Sequence, residues 1–201
     1  MDARSRAQGP LVALVVAPDG FRDEEWIAPR SRLLAAGFSV VTGCRASGAA
    51  RGMLGATARC EALVSDLLER RGLAGLVFVG GDGAPVYWDD PRAHALAASV
   101  LDAGGVVSAI CLGTGTLARA GLLRGRRATG FPSAAAVLAS EGAYVTGAPV
   151  EIDGRVVTGR DPGSSEEFAD TLVRLLSLSS VPAPGPSAST ERSTSTFGHS
   201  S

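Results

Sequence analysis

Val106-Val107-Ser108-Ala109-Ile110-Cys111-Leu112-Gly113-Thr114-Gly115-Thr116-Leu117 is the stretch on which the fold turns. A short apolar run ends on a cysteine, small residues follow at once, and Leu117, Ala118, Ala120 and Leu122 then recur at helical spacing. The pattern predicts a buried strand, a sharp turn and a helix start, with Cys111 at the corner. A nucleophile held there projects from the end of a sheet, next to the free N–H groups that open a helix. Those groups and the helix dipole favour a thiolate over a thiol, and they can donate to an oxyanion. A cysteine after a core strand is also, more simply, a small buried residue. This stretch alone leaves both readings open.

Working outward, the chain alternates strands and helices. Continuous aliphatic runs at 11–17 and 73–79, with a shorter one at 38–42, read as strands buried on both faces of a parallel sheet. Pro18-Asp19-Gly20 is expected to turn the chain, and 23–36 to form a helix that Pro29 kinks or shortens and Gly37 stops. The Gly/Ala-rich stretch 43–55 has room for a short hairpin, and 58–71 reads as an amphipathic helix with Leu63, Leu67 and Leu68 on one side. Asp90-Pro91 opens a helix that runs to about Ala103 and stops at Gly104-Gly105. A short strand at 128–129, a short helix at 132–140 and a hairpin over 150–158 turning at Asp153-Gly154 follow. The last helix spans 165–178, with Ser164 or Ser165 as its cap. The fold predicted is a three-layer α/β sandwich around a mostly parallel, flavodoxin-like sheet. In such sheets ligands bind beyond the carboxyl ends of the strands. Three loops are expected to converge there: 19–25, Gly80-Gly81-Asp82-Gly83 and the Cys111 elbow.

One α/β domain is expected over residues 10–178, with a short extension at 1–9. The Ser/Pro/Thr-rich tail, 179–201, is too poor in apolar residues to offset its ordering entropy. Nineteen basic against 20 acidic residues, a net charge of −1 and no basic run argue against a nucleic-acid partner. No long apolar segment argues for a membrane span or a secretory signal. Cys44, Cys60 and Cys111 make an odd set without metal-ligand spacing, which suits a reducing cytoplasm. No metal and no cofactor are expected. The two histidines, His94 and His199, fall in a helix, where a surface position is expected, and in the tail.

Four segments, in order, resemble the PfpI and Parkinson-disease-deglycase superfamily, whose fold is similar to class I glutamine amidotransferase domains. They are Glu25-Trp26-Ile27-Ala28-Pro29 with Leu33 and Gly37, Val79-Gly80-Gly81, Ala109-Ile110-Cys111-Leu112-Gly113, and the run from Asp153 to Phe168. The resemblance covers about residues 10–178. It implies that Cys111 is the reactive cysteine and that Glu25 shares a proton with it. It also implies that Gly81 and Leu112 supply backbone N–H donors. A carboxyl buried beside a thiol has a raised pKa and can stay protonated, donating to the thiolate instead of repelling it. Asp23 and Glu24 are the competing acids, and all three can also simply face solvent at a helix start. The resemblance further implies a homo-oligomer, a dimer first, with a small molecule as substrate.

The departures narrow the chemistry. The protease-like branch carries a histidine directly after the cysteine, where this chain has Leu112. The Parkinson-type branch carries one before a later proline, where this chain has Phe131-Pro132. Without a placed histidine, a Cys–His peptidase ranks last. Gly80 and Phe131 are candidate pocket-lining residues, Phe131 making the pocket more apolar. Trp88, with Tyr87 and Asp89, is placed to wall the same pocket or to pack at a helix start. Arg160 is placed to bind a substrate carboxylate or phosphate, or to pair with Asp161 or Glu166. The leading function is a cysteine-dependent enzyme acting on a small electrophile, glyoxalase-, deglycase- or hydratase-like. The alternative is a redox-sensing or protective protein that acts through oxidation of Cys111.

Overall fold

The computed structural model describes residues 9–179. The N-terminal extension, apart from Gly9, and the tail beyond Ser179 lie outside the described residues. The elements run β1 (Leu11–Val15), β2 (Asp19–Phe21), α1 (Asp23–Ala35), β3 (Ser39–Cys44), β4 (Gly48–Gly52), β5 (Thr57–Cys60), β6 (Ala62–Leu63), α2 (Val64–Glu69) and β7 (Leu73–Phe78). They continue with α3 (Pro91–Asp102), β8 (Val106–Ile110), α4 (Thr114–Arg119), β9 (Arg127–Ala128), α5 (Ala135–Ser140), β10 (Tyr144–Val145), β11 (Val150–Asp153), β12 (Val156–Gly159) and α6 (Ser165–Ser179).

Seven strands form the central sheet in the order β11-β12-β8-β7-β1-β3-β6. All neighbours are parallel except the β11–β12 hairpin at one edge. The sheet separates two apolar layers. Val64 and Leu67 of α2, Leu96 of α3, Leu117 of α4 and Leu138 of α5 pack on one face. Leu33 of α1 and Phe168, Leu172 and Leu176 of α6 pack on the other. Strands covered on both sides must be apolar throughout, and β8 is buried along its whole length. Its single polar side chain, Ser108, is satisfied by donating to the Leu76 carbonyl at 2.8 Å.

Three expectations are corrected. Pro18-Asp19-Gly20 is not merely a turn, because β2 pairs in parallel with β4 in a separate three-stranded sheet, β2-β4-β5. Residues 58–71 do not form one helix. Their first part is β5, antiparallel to β4, and the helix begins only at Val64. The leucines do fall at helical spacing, but Ala58 is opposite Ala50 and both are fully buried. Burial of that pair under the sheet overrides local helix propensity. Third, Ser164 donates to Asp161 at 3.2 Å, and the Ser165 hydroxyl has no partner among the described residues, so neither caps α6. Pro29 lies inside α1, which continues through it to Ala35.

Candidate functional site

β8 delivers Cys111 to the carboxyl edge of the sheet, and the chain reverses there. Cys111 has φ 57°, the one positive value at a non-glycine among the described residues. Such a conformation costs about 1–3 kcal/mol and persists only where surrounding bonds enforce it. Those bonds are present. The Cys111 carbonyl accepts from the Thr114 hydroxyl at 2.7 Å and from the Phe131 N–H at 3.4 Å. The Leu112 carbonyl accepts from the Trp88 indole N–H at 2.8 Å. With both carbonyls held by donors on other groups, the N–H of Leu112 and that of Gly81 hydrogen-bond the sulfur.

The glycine loop and the start of α1 close around the same atom. Arg22 N–H donates to the Gly80 carbonyl and Gly83 N–H to the Gly20 carbonyl, both at 3.0 Å. The segment after β1 is thereby laced to the loop after β7, and the three expected loops meet. A side chain at Gly80 would stand 2.6 Å from Cys111 Cβ and 2.7 Å from the Ile110 carbonyl, and would strike the Glu25 carboxylate. Gly81 has φ 100° and leaves no room beside Arg22 N and the Gly20 carbonyl. Only glycine permits both approaches.

Of the three acids in the first turn of α1, one faces the sulfur. Asp23 is buried and accepts from the N–H groups of Leu54 and Ala56, at 2.9 and 2.6 Å. Glu24 pairs with Arg22 at 2.8 Å, and that bond holds its carboxyl below the usual range. Glu25 is fully buried. Its Oε2 accepts from Gly80 N–H at 2.9 Å. Its Oε1 has no hydrogen-bond partner among the described residues, and Cys111 is the neighbouring side chain that acts on the carboxyl.

Burial pushes the Glu25 carboxyl up to about 8, against the hydrogen bonds with Cys111 and Gly80 that pull it down. Burial, and then the Glu25 charge, push the Cys111 thiol up to about 12, while the Gly81 and Leu112 N–H groups pull it down. The expected helix-start stabilisation of a free thiolate is therefore outweighed by desolvation, since Cys111 is only 5% exposed. The two groups titrate as a pair. With the Glu25 carboxyl held up to about 8 and the thiol higher still, the carboxyl is the first of the two to lose its proton.

The other candidates fall at different distances from the elbow. Trp88 is part-buried and clamps Leu112, and Tyr87 is buried in the core. The Phe131 ring is 37% exposed, so it is the backbone N–H of this residue that reaches the elbow. Arg160 follows Gly159, which pairs with Ile110, and so ends the strand beside Cys111. Its guanidinium is bonded to Asp161 at 2.7 Å and to the Gly147 carbonyl at 3.1 Å, while Glu166 pairs with Arg32. His94 is not a free surface residue. It lies in the first turn of α3, and its Nε2 is 2.6 Å from the Trp88 carbonyl. Thr114 was not singled out in the sequence, although a threonine three residues after the cysteine is the spacing at which a hydroxyl reaches back to a carbonyl. Among the described residues, no group of three or more His, Cys, Asp or Glu side chains is placed to hold a metal, and no helix is long and apolar enough to cross a membrane. A surface cavity of about 490 Å³ is lined by residues of 68–73 with Ser99, Val100 and Ala103 where β7 begins, away from Cys111.

Comparison with known proteins gives consistent matches over most of the chain. Residues 11–175 match the DJ-1/PfpI family. An uncharacterised protein of Methanocaldococcus jannaschii is 34% identical over 178 residues, covering 87% of this chain and 86% of its own length. A protein of Thermococcus kodakarensis named as a deglycase is 29% identical over 166 residues, covering 83% of this chain and 99% of its own length. The crystal structure of a ThiJ/PfpI domain protein from Brachyspira murdochii superposes with a TM-score of 0.80 at 28% identity, covering 86% of this chain and 99% of that one.

Proposed function

This chain belongs to the DJ-1/PfpI family, and from that premise we propose that it is a cysteine-dependent enzyme acting on a small carbonyl electrophile, with Cys111 as nucleophile and Glu25 as proton carrier. The observation that carries the reading is the surroundings of one sulfur: a strained elbow, a buried carboxyl and two backbone N–H donors. The Cys111 sulfur forms a bond to an aldehyde carbon while its S–H bond breaks and the proton passes to the Glu25 carboxylate, and the carbonyl π pair moves to oxygen. The Gly81 and Leu112 N–H groups stabilise the developing charge, and Glu25 delivers the proton. Because Glu25 is the acid–base group in contact with the sulfur, the same carboxyl serves each later proton transfer. A 5%-exposed nucleophile suits a small substrate. Dicarbonyls of the methylglyoxal type are the class to test first, in keeping with the relative named as a deglycase.

The test is turnover of methylglyoxal by the wild type, Cys111→Ser and Glu25→Gln. Saturable turnover that falls at least about 100-fold in both variants is expected, the lower end of what a positioned acid–base group supplies. Stoichiometric consumption of a peroxide at Cys111 without turnover of any dicarbonyl would favour the redox-protective alternative.

A further inference from the structure

A second pair of thiols lies at the same edge of the sheet. Cys44 ends β3 and Cys60 ends β5. The chain between them folds as the β4–β5 hairpin, whose base is closed by the Gly48–Cys60 pairing. The residue after Cys60 is fastened to β3: Glu61 N–H donates to the Thr42 carbonyl at 2.8 Å, and Thr42 N–H to the Glu61 carboxylate at 2.9 Å. Two residues further on, Leu63 pairs with Cys44 itself. This bracing brings the Cys60 thiol close enough to Cys44 for the two to interact. Tyr87 completes the cluster. Its hydroxyl donates to the Val16 carbonyl at 2.8 Å, accepts from Arg45 N–H at 3.0 Å and contacts the Cys44 side chain. Cys44 is fully buried, Cys60 half-buried, and both are free thiols.

We propose that Cys44 and Cys60 form a reversible dithiol–disulfide pair, closed by a hydroperoxide and chemically separate from Cys111. β3 and β8 are three strand spacings apart in the sheet order, about 14 Å at the usual interstrand distance, which is beyond disulfide reach. Cys60, the less buried of the two, is the sulfur an oxidant meets first. It attacks one peroxide oxygen: an S–O bond forms, the O–O bond breaks, and the departing oxygen leaves with the thiol proton as water or alcohol. Cys44 then attacks the sulfenic sulfur: the S–S bond forms, the S–O bond breaks, and hydroxide leaves with the Cys44 proton as water. Two thiols lose two electrons and the O–O bond gains them. The new bond would close the base of the hairpin whose far end binds Asp23. Packing alone asks only for a small apolar residue at each position. Two thiols in contact add a chemistry that packing does not require.

The test uses the full chain carrying Cys111→Ala, so that only these two thiols remain. It is treated with hydrogen peroxide at mildly alkaline pH, then denatured, alkylated and analysed by mass spectrometry. The expected result is loss of two hydrogens, no alkylated cysteine and a single cross-linked peptide pair joining Cys44 to Cys60. A dithiol reductant should restore both thiols. Two alkylated cysteines, under treatment that oxidises Cys111 in the wild type, would overturn the proposal. So would a covalent dimer through Cys60, or Cys60 driven to sulfinic acid while Cys44 stays reduced.

Discussion

At the scale of the residue, a carboxyl group whose nearby cation, Arg22, is bonded to Glu24 is buried against a sulfur, and the cost of that burial depends on pH. An exposed glutamate titrates near about 4.3, whereas burial holds Glu25 protonated up to about 8. Between those values the folded chain keeps a proton that the unfolded chain has released. Stability is therefore highest below the unfolded value, falls as pH rises through the window, and levels off above it. Glu25→Gln keeps the shape and the acceptor for Gly80 but removes the ionisation. The variant is expected to be the more stable protein, by a margin that widens between about pH 4.3 and about pH 8 to the order of a few kcal/mol. Urea titrations at a series of pH values measure it. A margin that does not change with pH would show that the Glu25 carboxyl is not held protonated in the fold.

At the scale of the element, the small β2-β4-β5 sheet positions the acid. Asp23 ties the segment after β4 to the start of α1 through the N–H groups of Leu54 and Ala56. Glu25 lies two residues further along the same turn. Asp23→Ala leaves those donors without their carboxylate and is expected to cost about 2–3 kcal/mol of stability, with Asp23→Asn in between. Urea midpoints of the three proteins test it, and unchanged midpoints would contradict it. This sheet is also where the sequence was least legible. The central strands announce themselves because burial on both faces demands unbroken apolar runs, as at 11–15 and 106–110. Cys111 was readable as the residue at a strand-to-helix corner and Gly80-Gly81 as a glycine loop, whereas the residues alone left Asp23, Glu24 and Glu25 open and only the family resemblance pointed to Glu25. β5 was not readable, since Thr57-Ala58-Arg59-Cys60 carries no strong pattern of its own and becomes a strand only through its pairing with β4. Nor were the clamps on the elbow. Trp88 and Thr114 act through hydrogen bonds to backbone carbonyls, and a carbonyl leaves no mark in the sequence.

At the scale of the whole molecule, the fold gathers its chemistry at one edge. β1, β3, β7, β8 and β12 run parallel, so their carboxyl ends present the glycine loop, the Cys111 elbow and the Cys44–Cys60 pair side by side. Exposed ion pairs, such as Arg32 with Glu166, add little to holding this arrangement. The two apolar layers hold it, with Phe168 and Leu96 fully buried on opposite faces. The family resemblance implies a homodimer. Sedimentation is then expected to give twice the chain mass of 20.3 kDa, and a species of the single-chain mass at micromolar concentration would contradict it.

The most direct measurement is the alkylation rate of Cys111 against pH in the wild type and in Glu25→Gln, with modified sites assigned by mass spectrometry. If the pair shares one proton, wild-type reactivity rises through about pH 8. In Glu25→Gln that inflection disappears, because the thiol is left with its own burial-raised ionisation. Identical profiles in the two proteins, or a wild-type Cys111 that stays inert from neutral to alkaline pH, would contradict the account at its centre.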